Sequence, residues 1–417
     1  RNGEIDTDKH QAADGIVGPF HEKEGSFYTI REIWSPLFIE RRYVTPQFNG
    51  IFNIENRYHY TNLNQCTFSW KLVKLPLPGS HSETDVSGTI PAPDLAPGKK
   101  GELKLELPAN FSSYDVLYLT AADPDGREFC TWSWPITLPP AVAGKVVAKA
   151  GPNKAVLSET GDQITLSAGG VTATFSKTNG LLASVTNANG KISLANGPVL
   201  TEGEARFKEL KAEMQGDTAV VEAIYDKTFK TVRWSIYPSG WLQLQVEYFP
   251  PYETTTMGVT FDYPEEQVKG MRWLGAGPYR VWKNRLKGTT FGVWEKAYNN
   301  TITGEGKLIY PEFKGYHKDF YWVELETSEQ PFTIVCASED IFLRMLTPEA
   351  PKGAYNKNTT PFFPAGNLSF LHGISAIGTK FTVPEVLGPM SQKNKFYTQG
   401  RKFAKELTLY FDFRAKP

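Results

Sequence analysis

The sequence predicts an all-β protein: an immunoglobulin-like sandwich followed by a larger β structure. Three observations predict it. Apolar and polar side chains alternate with a period of two, turn signals punctuate those runs, and residues 155–417 show no amphipathic helical period. The composition sets the bounds. At 417 residues the chain exceeds the size at which one core stops growing, so two or three domains are expected. Lys and Arg (45) balance Asp and Glu (45) with no basic stripe, which excludes a nucleic-acid footprint. No apolar run is long enough to span a membrane, so no membrane partner is expected. The chain opens on Arg1 in a polar segment without a signal peptide, as expected of a fragment or processed piece.

In chain order, residues 1–33 are polar without a clean period, and GSFYTIREIW reads as a short helix running into extended chain. From Ile51 the alternation is strict. Phe52, Ile54, Asn56, Tyr58 and Tyr60 share one face; Cys66, Phe68, Trp70 and Leu72 another; then Leu103, Leu105 and Leu107; then Cys130, Trp132, Trp134 and Ile136. About seven half-buried strands over roughly 100 residues, with turns such as Asp-Pro-Asp-Gly at 123–126, fit an immunoglobulin-like sandwich. The Pro-, Ala- and Gly-rich stretch that follows reads as a linker. Asn179-Gly180 and Asn189-Gly190 predict two-residue hairpin turns, whose central positions need positive φ. WSIYPSGWLQLQVEY predicts two strands around Pro-Ser-Gly. The boundaries read 34–139 for the sandwich, 140–154 for the linker and 155–417 for the second domain, a large two-sheet structure or two sandwiches.

Ten Trp, 19 Tyr and 26 Phe are accounted for mainly by β cores, with sugar-stacking platforms the alternative for any left exposed. Cys66, Cys130 and Cys336 make no disulfide framework; buried free thiols are expected, a Cys66–Cys130 bridge remaining open if their strands meet. Six scattered His residues show no metal-ligand spacing, and no nucleophile elbow or phosphate loop is present. The Gly-x-Gly of WLGAGPYR lacks a following helix and reads as a turn. Glycoside hydrolysis needs two carboxylates roughly 5 to 9.5 Å apart. Glu265-Glu266 and Glu339-Asp340 are sequence neighbours, which on a strand would point to opposite faces. Glu295, among aromatics in FGVWEKAYNN, is the one tempting carboxylate, and a salt bridge to a nearby Arg or Lys is its expected role. No catalytic residue is assigned in this chain.

Several stretches carry a resemblance. DGIVGPFHEKEGSFYTIREIWSPLFI (14–39) resembles the passage from the catalytic barrel of family 2 glycoside hydrolases, the β-galactosidase group, into the next domain. NIENRYHYTNLNQCTFSWKLV (53–73) is similar to the start of that immunoglobulin-like domain, and FSKTNGLLASV (175–185) to the hairpin opening the C-terminal β-supersandwich. MRWLGAGPYRVWKNR (271–285) and LSFLHGISAIGTKF (368–381) resemble two later landmarks in the family's order. The resemblance implies a galactose-mutarotase-like β-supersandwich over 155–417, and makes residues 1–33 the remnant of the end of a catalytic barrel.

It further implies the non-catalytic C-terminal portion of a retaining β-galactosidase-like hydrolase, whose catalytic glutamates lie in the barrel, so this chain alone is expected to be inactive. Its partners would be that N-terminal barrel, a β-galactoside or related glycan, and other copies in a homo-oligomer, in a periplasmic or secreted rather than cytoplasmic setting. No cofactor is required in this chain, while the full-length enzyme would use a monovalent cation and Mg. Asp14 stands where the family has an amide residue near that monovalent cation, a departure at the metal position. A Trp of the family lines the leaving-group subsite; no Trp follows Trp322 here, and Phe381 is its stand-in for substrate binding, with packing at a strand start as its structural role. The rival reading is a free-standing carbohydrate-binding β-sandwich protein.

Overall fold

The computed structural model describes residues 16–17, 21, 23, 25–41, 43–299, 313–348, 362–379, 382–396 and 403–416. Seven strands form the first sandwich. A three-stranded sheet orders Leu37–Ile39, Ile51–Asn56 and Lys100–Lys104; a four-stranded sheet orders Thr84–Ile90, Thr67–Lys74, Val116–Ala122 and Glu128–Pro135. The expected inward set packs between them: Phe52, Ile54, Phe68, Trp70, Leu72, Leu103 and Trp134 are all buried. The alternation from Ile51 stops earlier than its pattern suggests. Asn56 is buried and its side chain bonds two loops, donating to Thr61 O (2.9 Å) and to the more distant Leu95 O (2.8 Å) and accepting from Tyr58 N (2.9 Å). The strand therefore ends at Asn56, and Tyr60 lies 95% exposed beyond it. The three cysteines are buried free thiols.

The second sandwich is two large antiparallel sheets. One has ten strands. The other has nine, beginning with the edge strand Ala205–Gln215 and ending with Val268–Gly277 and Thr290–Ala297. The last strand of the chain, Lys405–Asp412, inserts into the nine-stranded sheet between Leu242–Tyr248 and Phe332–Cys336, closing it from within. Trp234, Phe261, Trp273, Phe370 and Phe411 are among the large side chains filling the space between the sheets.

Local chemistry departs from expectation at two kinds of turn. Gly180 and Gly190 have positive φ, but Asn179 and Asn189 do not. Side chains brace these turns instead: Asn179 Oδ1 accepts from Leu181 N (3.1 Å), and Asn187 Oδ1 from Asn189 N (2.8 Å). The hairpin from Val171–Ser176 to Leu182–Asn187 thus has a longer loop than two residues. Likewise Gly275 and Gly277 lie in a strand rather than a turn. A Cβ on Gly275 would meet Asp319 O at 2.9 Å, and one on Gly277 the Trp294 ring at 2.5 Å, so close packing selects glycine there.

The two sandwiches share a core. Helix α1 (Gly25–Ile33) precedes the first, as the sequence indicates, and helix α2 (Pro139–Val146) forms in the stretch expected to link them. Pro139 sits at the first turn of α2, where its missing N–H costs nothing, and Val142 and Ala143 are buried. They pack with Val73 and Val116 of the first sandwich against Leu274, Phe291, Tyr321, Trp322 and Val335 on the outer face of the nine-stranded sheet. Polar bonds cross the same seam. Tyr118 OH donates to Phe291 O (2.6 Å), Phe291 N to Ser133 Oγ (2.7 Å) and Tyr321 OH to Thr137 O (3.0 Å). Arg272 pairs with Glu324 (2.6 Å) and donates to Ser80 O (2.5 Å), while Gly79 N donates to Glu324 (2.8 Å). Glu324→Ala leaves Arg272 without its counter-charge. We expect a loss of about 2 kcal/mol, less than the roughly 3–5 kcal/mol of a fully buried pair because Glu324 retains some water contact. Urea denaturation of the intact chain measures it; no change in midpoint would show the pair to be inert.

Candidate functional site

Among the candidates from sequence, Asp14 and Phe381 lie outside the described residues. Glu295 is exposed and forms no ion pair among the described residues. Arg272, opposite it in strand register, is committed to Glu324. Glu265 and Glu266 occupy a short 3-10 turn rather than a strand; Glu265 pairs with the buried Lys314 and accepts from Tyr298 OH. Cys336 is fully buried in Phe332–Cys336, and burial pushes its thiol up to about 12, so it is no nucleophile at neutral pH. Among the described residues no cluster of three or more His, Cys, Asp or Glu could hold a metal ion, and no helix is long and apolar enough to cross a membrane.

The structure instead brings three distant segments to one corner, just past the strand Val268–Gly277. The first is residues 278–288. Trp282 is buried there, edge-on to Tyr316 (5.6 Å) and Phe363 (5.5 Å), which anchors the segment on the ten-stranded sheet. The second is α1. Its Thr29 Oγ1 donates to Lys287 O (2.9 Å), and Glu32 pairs with Lys287 (2.7 Å) and accepts from Gly288 N (2.7 Å). Gly288 has φ +86°, and a Cβ there would lie 2.4 Å from Thr29 N, so helix and loop touch through backbone. Tyr28 stacks on Tyr279 (4.9 Å). Arg31 turns the other way, donating to Phe129 O (2.8 Å) and pairing with Glu128 (2.7 Å), so α1 binds both sandwiches. A groove of about 260 Å³ remains between Thr29, Ile30, Ile33 and Asn284, Leu286, Lys287.

The third segment is residues 374–394. Its base is closed by Asn394 Nδ2, which donates to Ile374 O (3.1 Å) and Thr255 O (2.8 Å). Lys283 and Asn284 hold its body. Lys283 N donates to Ser375 O (3.0 Å) and its ammonium to the carbonyls of Gln392 and Lys393 (3.1 Å to the latter). Burial, with the charge of Lys395, lowers the Lys283 pKa. Asn284 donates to Ile377 O (2.8 Å) and Ser391 Oγ (3.0 Å) and accepts from Ile377 N (3.1 Å). Thr379 N donates to Thr382 O (2.9 Å), flanking the position of Phe381 in the chain. Beyond it Val383, Val386, Leu387 and Met390 are exposed, as are Ile33 and Trp34 at the end of α1. Sequence reasoning missed Lys283 and Asn284. Nothing local to WKNR marks an amide that bonds a backbone 93 positions away.

Beside the corner lie two buried imidazoles. His372 Nδ1 shares a 2.5 Å hydrogen bond with Tyr248 OH, and His317 packs against Trp273 (4.9 Å). Burial lowers both pKa values to about 3, assisted by Lys405 at His372 and by Lys296 and Arg280 at His317. Unfolded histidines protonate near 6.5, so between about pH 6.5 and 3 the unfolded chain binds more protons than the folded one. Stability is unaffected above that window and falls as pH drops through it, by up to about 1.4 kcal/mol per pH unit for each imidazole. Urea midpoints from pH 7.5 to 5 measure the slope, and NMR should find both rings neutral at pH 5; rings charged at pH 5 would contradict the assignment.

Comparison with known proteins gives two matches. Residues 52–122 match the family described as Beta-galactosidase, domain 4, and residues 167–350 the family described as Beta galactosidase small chain. Neither is a catalytic barrel domain. Among curated proteins nothing matches the chain.

Proposed function

Since this chain carries the domain-4 and small-chain domains of the β-galactosidases, the non-catalytic C-terminal part of such an enzyme, we propose that it buttresses a catalytic barrel and completes the rim of its active site. The observation that carries this reading is the corner itself. Helix α1, the 278–288 segment and the 374–394 segment converge there, and beside them side chains such as Trp34, Val386 and Met390 are left exposed. In a retaining glycosidase two carboxylates about 5–5.5 Å apart act as acid/base and nucleophile. The barrel supplies both, and this chain supplies shape and apolar contact beside them. The substrate we propose is a terminal β-galactoside, with Phe381 assigned to its leaving-group side by the family resemblance alone.

The purified chain is expected to leave a nitrophenyl β-galactoside intact, and adding the separately expressed barrel should generate turnover. Turnover by the chain alone that disappears in Glu295→Gln would contradict the proposal. Tight binding of lactose by the chain alone would favour a free-standing carbohydrate-binding protein instead. In the enzyme containing the barrel, Phe381→Ala should raise KM for a disaccharide about five-fold, the equivalent of roughly 1 kcal/mol of lost ring contact. It should leave kcat nearly unchanged, because the contact stabilises ground and transition states alike. Unchanged KM with a lowered melting temperature would assign the ring to packing.

A further inference from the structure

We propose that Asn284 is a positioning residue for the leaving-group side of the active site, acting through the 374–394 segment and touching no substrate itself. The proposal rests on the reading that this segment faces the substrate. Its physical basis is the geometry of one amide. Both atoms of the Asn284 carboxamide engage the backbone of Ile377, Nδ2 donating to its carbonyl (2.8 Å) and Oδ1 accepting from its N–H (3.1 Å). The second Nδ2 bond, to Ser391 Oγ (3.0 Å), reaches the returning half of the segment. One side chain thereby joins the outgoing and returning limbs, two residues before Thr379 and one after Met390.

The rest of the environment fixes the amide in turn. Its own backbone follows two anchored residues: Trp282, buried against Tyr316 and Phe363, and Lys283, whose ammonium grips the carbonyls of Gln392 and Lys393. The described residues of the segment, 374–379 and 382–394, form no strand before Asn394, only short 3-10 turns at Pro384–Val386 and Pro389–Ser391. Long irregular segments are held by such side-chain bonds or not at all. Ile377 and Ser391 are buried, so removing the amide would leave polar backbone atoms that water reaches poorly. An ester-like or aliphatic replacement cannot satisfy donor and acceptor together; aspartate keeps the acceptor for Ile377 N and loses both donations.

Two measurements test this, and they separate the proposal from the reading beneath it. The first is hydrogen exchange on the intact chain. Asn284→Ala should raise exchange at the Ile377 amide and across 382–391 by at least ten-fold, while Asn284→Asp should keep Ile377 protected and loosen Ser391. Unchanged exchange in both variants would overturn the positioning role itself. The second is kinetics in the enzyme containing the barrel. Asn284→Ala should raise KM for lactose several-fold and lower the ratio of sugar transfer to hydrolysis when glucose is the acceptor, with kcat for water attack on the galactosyl enzyme kept. A purely structural role would reduce the active fraction without moving KM or that ratio. Loosened exchange with unaltered KM and transfer ratio would overturn the reading that the segment faces substrate, and the proposal with it.

Discussion

Around the strands Val268–Gly277 and Phe332–Cys336 the nine-stranded sheet is covered on both faces, and the rest of the structure depends on that double burial. Trp273, Val323 and Ile334 point into the space between the two large sheets, while Leu274, Trp322 and Val335, the next residues along the same strands, point outward under the first sandwich and α2. An open sheet would present that outer row to water. Here it becomes the floor on which the immunoglobulin-like domain stands, and hydrogen bonds cross its margins: Tyr118 to Phe291 O, Tyr321 to Thr137 O, Arg272 to Glu324 and Ser80 O. Apolar burial supplies most of the attraction; the hydrogen bonds fix the register, since an unmatched buried group would cost more than a made bond gains.

That fixed register is what makes the corner a defined shape. Helix α1 is only nine residues long and has no buried residue of its own, too short to be stable in isolation. It holds its place because Arg31 reaches the first sandwich and Glu32 the second. Were the two bodies free to swing, no single position of α1 could satisfy both. The groove between α1 and residues 284–287 is bounded by the bonds from Thr29 to Lys287 and from Glu32 to Lys287 and Gly288.

How much of this was legible in the sequence differs by kind of interaction. Period-two runs announced the strands of the first sandwich because each has one wet face; Phe52 and Ile54 alternate with Asn53 and Glu55 for that reason. The strands Val268–Gly277 and Phe332–Cys336 are buried on both sides, which erases alternation, and the Gly-x-Gly of the first mimics a turn signal. Helix α2 hid in a Pro- and Ala-rich stretch because eight residues give too little period to register, and its stability comes from the seam rather than from propensity. The candidate site was legible only through resemblance of its separate pieces to a known family. The bonds that join those pieces span tens to hundreds of positions, from Glu32 to Gly288 and from Asn284 to Ile377 and Ser391, and no local pattern encodes them.

On the proposed function, the corner built by α1, 278–288 and 374–394 is the surface a catalytic barrel covers. Hydrogen exchange of the chain, with and without an excess of the separately purified barrel, tests it most directly. New protection is expected at Ile33 and Trp34 and across 382–391, with the edge strand Ala205–Gln215 at the other end of the nine-stranded sheet unchanged. Protection confined to that edge strand, or to the far sheet of the first sandwich, would contradict it.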